Sequence, residues 1–250
     1  MDYSQLIILT SVGVIAGWLN VMAGGGSLLT VPIMLFMGIP GPVANGTNRI
    51  GILMQNIAAV STFFKKGHSD FKLGFSLAGA ACIGAVGGAM IGVNLDGEWF
   101  DRLLALTMIV VMLMMLTKNK TQSTGQVQTA NPGSKLLLGH VLMVGAGFWG
   151  GLIQVGVGFI LMPILYRVMG FDLVKVNMYK VFIVLIYTVV ALIVFASQVE
   201  ILWITGVALA IGMMTGGWLG ARTTISKGET WIRPIFFATL SVFIVVLLWP

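Results

Sequence analysis

The chain has 250 residues, 58% of them apolar and 9% charged, with a formal net charge of +6 and a mean hydropathy of +1.00. A soluble fold of this composition would expose a surface it could not solvate, so the expected solvent is lipid. The cations sit in short loops beside apolar runs, which is the topological use of Lys and Arg rather than a footprint for nucleic acid.

The first apolar segment runs from residue 4 to residue 38, too long for one membrane helix and too short for two. Asp2 precedes it and no early Lys or Arg does, so it lacks the basic start of a cleaved signal and is expected to stay. It is interrupted at Gly24-Gly25-Gly26-Ser27. Glycine costs a helix roughly 1 kcal/mol per residue relative to alanine, and backbone groups freed by a break cannot stay bare in hydrocarbon. The restart after the break presents unpaired N–H groups and the positive end of a helix dipole, with Ser27 as its expected cap. Pro32 is expected to delay the regular helix by a turn.

Next comes Asn45-Gly46-Thr47-Asn48-Arg49. Asn45 reads equally as a helix cap and as a site residue. Arg49 is expected in an outer loop against the usual charge bias, close to an apolar run where burial costs on the order of 3 kcal/mol; it reads as an attractor for an anion.

Charge-free runs after Arg49, Lys72, Arg102, Lys180, Glu200 and Arg233 give six whole crossings beside the broken segments. The stretch from Lys118 to Lys135 is polar and carries Pro132-Gly133 as a turn signal, so residues 118–134 read as a cytoplasmic linker between repeats 1–117 and 135–250. Basic loops at Lys65–Lys72, at the linker and at Arg222–Arg233 are expected inside, and the acid-rich loop near Asp96 and Glu98 outside. Trp99, Trp203, Trp231 and Trp249 fall near predicted ends as interfacial anchors.

The second broken segment, residues 135 to 169, is interrupted at Gly156-Val157-Gly158. An offset of 131 superposes Trp18 on Trp149, Gly25 on Gly156 and Pro32 on Pro163; an offset of 132 carries Gly38 onto Gly170 and Asn45 onto Asn177. The two tryptophans either wall a cavity or pack between helices. Gly84, Gly88 and Gly92 recur as Gly212, Gly216 and Gly220, a spacing that lets helices approach closely in lipid. Counting crossings places equivalent loops on opposite sides. The expected fold is an all-α polytopic membrane protein of two inverted repeats, each a Gly-broken hairpin of two short helices plus three transmembrane helices. Broken segments at matching positions of two halves point to a transporter binding site at their meeting point.

The candidate substrate-binding residues are therefore Gly24, Gly25, Gly26, Ser27, Asn45, Thr47, Asn48 and Arg49, with Gln154, Gly156, Gly158, Asn177, Tyr179 and Lys180 in the second copy. Asn20, Gln55 and Gln154 are uncharged polar groups in apolar stretches, for which helix-to-helix hydrogen bonding is a competing role. Lys180 is either the inner counterpart of Arg49 or a side chain snorkelling to the surface. His140 reads as a hydrogen-bonded helix residue. All eight acidic residues are expected in loops or at the N-terminus, so no carboxylate is available at mid-membrane to relay protons or bind sodium. Cys82, the only cysteine, lies in an apolar run, leaving no disulfide framework and no thiol metal site. No metal or cofactor is expected, and the partners are a small anionic substrate and the bilayer. An intramembrane enzyme or a scaffold is the competing class. Against an enzyme stand the absence of paired acids and of a His-Glu-x-x-His helix, and Gly74-Phe75-Ser76-Leu77-Ala78 lacks the closing glycine of a nucleophile elbow. A passive anion channel is a further alternative.

The order of glycine-rich break, Val31-Pro32 or Met162-Pro163, Gly38-Ile39-Pro40 or Gly170-Phe171, and Asn45-Gly46-Thr47-Asn48 resembles the TauE/SafE family of sulfite and organosulfonate exporters across nearly the whole chain. The Ala-Thr-Ser of that family is partly kept at Thr47-Asn48 and replaced at Tyr179-Lys180. The resemblance implies a bacterial inner-membrane permease with an inverted-repeat fold, carrying sulfite, sulfonates or related organic acid anions.

Overall fold

The computed structural model describes residues 2–67, 71–95, 97–116 and 132–227, and every element among them is helical. Residues 118–131 of the linker, His68, Asp96, Trp231, Trp249 and the run after Arg233 lie outside the described residues. Among the described residues five helices are long and apolar enough to cross a membrane: Tyr3–Ala23, Lys72–Gly92, Lys135–Leu152, Leu173–Gln198 and Trp203–Ser226. The chain is a multi-pass membrane protein.

Helix α1 (Tyr3–Ala23) ends where Gly24 takes a left-handed φ of 86° and donates its N–H to Asn20 O at 2.8 Å. The chain then folds back, because a Cβ at Gly26 would come 2.2 Å from Ala16 O, a full helical turn and more before the break. Helix α2 (Ser27–Phe36) is the short return arm, with Pro32 inside it rather than delaying it. The second copy repeats this as α6 (Pro132–Leu152), a break at residues 153–156, and α7 (Val157–Pro163) extended by a π-helical turn over Ile164–Val168. The expected hairpins of two short helices are thus corrected: in each copy a 21-residue helix precedes the break, and only the return arm is short.

Three further expectations change for local reasons. The second break lies earlier than Gly156-Val157-Gly158, because Gln154 adopts φ 63° and Gly156 φ 72°, leaving Gly158 inside α7. Pro132 opens α6 instead of marking a turn; proline lacks only an N–H that the first helical turn leaves unpaired anyway. Arg49 is not in a loop. Helix α3 (Gly41–Lys65) starts after Pro40 and carries Pro42 in its first turn, so Arg49 lies in the third turn, fully buried. Lys180 is likewise two turns into α8 (Leu173–Gln198), which Asp172 caps by accepting from Val174 N at 3.1 Å and Lys175 N at 3.0 Å. The loop that disobeyed the charge rule does not exist.

Helices α4 (Phe71–Gly92), α5 (Gly97–Leu116) and α9 (Trp203–Lys227) complete the described set. Gly84 and Gly88 of α4 lie against the carbonyl oxygens of Val144 and Phe148 in α6, and Gly212 and Gly216 of α9 against those of Thr10 and Val14 in α1. A Cβ at any of these four would stand 1.9 to 2.1 Å from the oxygen, so the glycine spacing is used for backbone contact between helices. In both pairs the partners advance together along the chain, which makes the helices parallel. Helix α3 joins α9 in the same sense, with Leu202 N donating to Thr47 Oγ1 at 3.2 Å and Gly217 resting on Gln55 O. Trp99 and Trp203 are exposed, as interfacial anchors would be.

Candidate functional site

The two breaks meet. A Cβ on Gly24 would lie 2.4 Å from Gly158 Cα, and one on Gly158 would lie 2.2 Å from Gly24 Cα; two bare backbones are the only way to make this approach. Beside the contact is a small cavity of mixed lining, with Val157, Val181 and Val184 on its apolar side, whose free space is about 10 Å³, the room of a single water. Of the candidate residues, Gly24, Ser27, Gln154, Gly158 and Lys180 line it. Asn20, Gln55 and Asn56 line it as well.

The polar groups of the first break form a chain. Asn20 Oδ1 accepts from Gly26 N at 3.1 Å, Asn20 Nδ2 donates to Gln55 Oε1 at 3.0 Å, and Gln55 Nε2 donates to Asn56 Oδ1 at 3.4 Å. Asn20 therefore serves the start of α2 in the role expected of Ser27, which is the first helical residue behind Gly26 and caps nothing with its side chain. Asn56 was missed in the sequence; its signal was the Gln55-Asn56 pair inside an apolar run, with no partner visible until α1 folds beside α3.

The two buried cations do matching structural work. Arg49 Nη1 donates to Gly150 O at 3.0 Å and to Gln154 Oε1 at 3.3 Å, and Nη2 donates to Gly151 O. Its neighbour Asn45 donates Nδ2 to Leu152 O at 2.9 Å. Both side chains of α3 thus satisfy the last carbonyls of α6, where the helix has run out of its own N–H groups and presents the negative end of its dipole. In the other direction, Lys180 Nζ of α8 donates to Val21 O in the last turn of α1 at 2.6 Å and to Asn177 Oδ1 at 2.6 Å. Lys180 is 2% exposed, so it does not snorkel. Each repeat sends a cation to close the broken helix of the other.

Their surroundings differ. The Arg49 guanidinium lies 4.4 Å from the Phe195 ring centroid and away from the cavity, whereas Lys180 is on the cavity wall. Among the described residues Arg49 and Lys180 are the buried charged side chains, and the acids are exposed. The described ion pairs, Arg102 with Glu98 and Lys175 with Asp172, are on the surface.

The remaining candidates are structural neighbours of the cavity. Asn48 Oδ1 accepts from Thr30 Oγ1 at 2.7 Å, tying α2 to α3. Tyr179 packs its ring 4.8 Å from Phe171. Gly156 faces Thr107 and Val111 of α5. Gly25 O accepts from Leu28 N at 3.0 Å in the turn into α2. Trp149 Nε1 donates to Val155 O at 3.0 Å and clasps the second break, while Trp18 Nε1 donates to Thr223 Oγ1 at 3.2 Å; neither walls the cavity. His140 bonds within its own helix and to α4, with Nδ1 2.8 Å from Leu136 O and Nε2 2.7 Å from Ser76 Oγ.

Gln154 is the position where local preference is overridden. A left-handed φ costs a non-glycine residue roughly 1–2 kcal/mol, and Gln154 is the described non-glycine residue with positive φ. The first repeat uses Gly24 for the corresponding helix end. Keeping a glutamine there puts a carboxamide between Arg49 and the cavity, and strain of this kind concentrates at functional sites.

The sequence profile of the sulfite exporter TauE/SafE family matches residues 9–247. A probable membrane transporter protein of Sinorhizobium sp, ORF9, is 27% identical over 235 residues, covering 94% of this chain and 89% of its own length. A probable membrane transporter protein of Haemophilus influenzae is 27% identical, covering 92% and 89%, and YfcA of Escherichia coli, also named a probable membrane transporter protein, is 25% identical, covering 91% and 84%. No solved structure matches the chain significantly. A match across nearly the whole chain, on the same broken segments that meet at the cavity, identifies the protein as a membrane transporter belonging to the sulfite exporter TauE/SafE family.

Proposed function

We propose that the protein is a permease of small anions, sulfite, sulfonates or related organic acid anions, in a bacterial inner membrane, working by alternating access. The observation that carries this reading is the charge of the interior: the buried charged side chains among the described residues are both cations, and one of them, Lys180, is on the wall of the cavity where the breaks meet. An anion there gains the ammonium, carboxamide N–H groups from Asn20, Gln55, Asn56 and Gln154, and the N-terminal end of α2. A cation would meet the ammonium and find no buried carboxylate among the described residues.

Alternating access is supported by the cavity's size. At about 10 Å³, close to the room of one water, the site is tight around the meeting point, which suits a carrier whose helices part around its substrate. The inverted arrangement is supported by helix sense. Helices α1, α3 and α9 run parallel to one another, and α4, α6 and α8 do likewise, while short loops join α3 to α4 and α8 to α9. The first helix of one repeat then opposes the first helix of the other.

The test is uptake of radiolabelled sulfite into proteoliposomes. Saturation, and acceleration by unlabelled sulfite loaded on the opposite side, are expected. Flux that rises linearly with concentration and shows no counterflow would replace the carrier with a channel; no flux of sulfite or small sulfonates would end the anion reading.

A further inference from the structure

The units that would move in transport are not the two sequence repeats. Helix α1 of the first repeat is welded to α9 of the second by backbone contacts at Gly13, Gly17, Gly212 and Gly216, and α4 of the first is welded to α6 of the second at Gly84, Gly88, Gly147 and Gly151. These contacts put backbone against backbone, with no flexible side chain between to absorb sliding. Helix α3 packs on α9, and α8 packs on α4. Short arm α2 rests on α1 and α3, and α7 with its π-turn rests on α6 and α8. The molecule thereby sorts into one bundle of α1, α2, α3 and α9 and another of α4, α6, α7 and α8. Each has taken the fourth helix of the other repeat.

Between the bundles the contacts are of a different kind. The principal seam is α3 against α8, where Gly46 and Arg49 meet Phe195. Others are the touching glycines Gly24 and Gly158, the ties from Asn45 and Arg49 to α6 and from Lys180 to α1, and small contacts of α8 with α1 and α9. The cavity lies in this seam: Asn20, Ser27 and Gln55 come from one bundle, Gln154, Gly158 and Lys180 from the other.

From this we infer that alternating access proceeds by rocking of the two helix-exchanged bundles about the α3–α8 seam, with α1–α9 and α4–α6 each moving as one rigid pair. Arg49 and Lys180 tie one bundle to the broken helix of the other, and Arg49, away from the cavity, is a positioning residue. This rests on the transport reading, and the measurement keeps the two separable.

The test is pulsed electron paramagnetic resonance distance measurement on spin-labelled protein in lipid nanodiscs, with and without saturating sulfite, on a Cys82→Ala background. The exposed positions Ile8 in α1, Ile83 in α4, Ile193 in α8 and Ile204 in α9 are changed to Cys in pairs. Ile8 with Ile83 lies within one repeat but across bundles, and its distances are expected to split into two populations whose balance sulfite shifts. Ile83 with Ile193, and Ile8 with Ile204, lie across repeats but within bundles; their distributions are expected to stay single and unmoved. Movement in the last two pairs with a fixed Ile8–Ile83 distance would overturn the inference in favour of rocking repeats, and no movement in any pair would overturn it as well. Two populations for Ile8–Ile83 in a protein that neither takes up nor responds to sulfite would uphold the bundles and defeat the anion reading instead.

Discussion

Arg49 and Lys180 lie near matching places in the helices that follow the two breaks, one residue out of register, and have parted company. Both are buried two turns into a long helix, and both hold the last carbonyls of the other repeat's broken helix. The guanidinium gives both Nη atoms to that task, forked over Gly150 and Gly151 and lying against Phe195. The ammonium does the same work from the cavity wall. The difference separates an architectural duty shared by both side chains from a place on the cavity wall that falls to Lys180 alone. It also suits the side chains: a planar fork matches two adjacent carbonyls, whereas a compact ammonium on a flexible stem can turn from a carbonyl to an entering oxyanion.

The comparison breaks most severely at Arg49. Removing it leaves the carbonyls of Gly150 and Gly151 buried without their donor, at about 1–3 kcal/mol each. Arg49→Ala is expected to lose about 3 kcal/mol, a fall in the melting temperature of about 10 °C, with a matching loss of folded yield in detergent. Arg49→Lys is expected to recover part of this, since one ammonium replaces a two-pronged donor. A melting temperature unchanged in Arg49→Ala would show that the capping is not structural.

The meeting of the breaks is the next target. Gly158→Ala places a methyl group 2.2 Å from Gly24 Cα, and the backbones must separate. Sulfite flux is expected to fall at least tenfold, while the yield of monodisperse protein falls less than in Arg49→Ala. Flux at the original rate would mean that the breaks need not touch.

The smallest effect is expected at Gln154. Glycine relieves a left-handed strain of roughly 1–2 kcal/mol and gives up a 3.3 Å bond from Arg49. Gln154→Gly is therefore expected to hold or slightly raise the melting temperature, yet to slow sulfite uptake because a cavity carboxamide is gone. A clear drop in melting temperature would place the value of Gln154 in its bond to Arg49.

Much of the fold was legible in the sequence because lipid makes apolar length decisive. Both broken segments stood out in this way, and the glycines at every fourth position announced helix contacts that the structure makes against Val144, Phe148, Thr10 and Val14. The helix exchange between repeats was not legible, since a glycine stripe states that a close partner exists and not which helix it is. Arg49 was misplaced into a loop because the polar run Asn45-Gly46-Thr47-Asn48 reads as a connection; Asn45 Nδ2, Thr47 Oγ1 and Asn48 Oδ1 instead find partners in Leu152 O, Leu202 N and Thr30 Oγ1, which lie in other helices or loops. The second break was placed late for a related reason. Glycine marks left-handed backbone by preference, and Gln154 adopts it against preference.

The central claim, that an anion binds where the breaks meet and is held there by Lys180, is tested most directly by the concentration dependence of sulfite uptake in Lys180→Met proteoliposomes. Methionine keeps much of the stem and removes the charge, and a charge-assisted hydrogen bond contributes about 1.5–3 kcal/mol. The half-saturating concentration is expected to rise by about tenfold or more, with a melting temperature closer to the unmodified protein than that of Arg49→Ala. A half-saturating concentration equal to that of the unmodified protein would contradict the account.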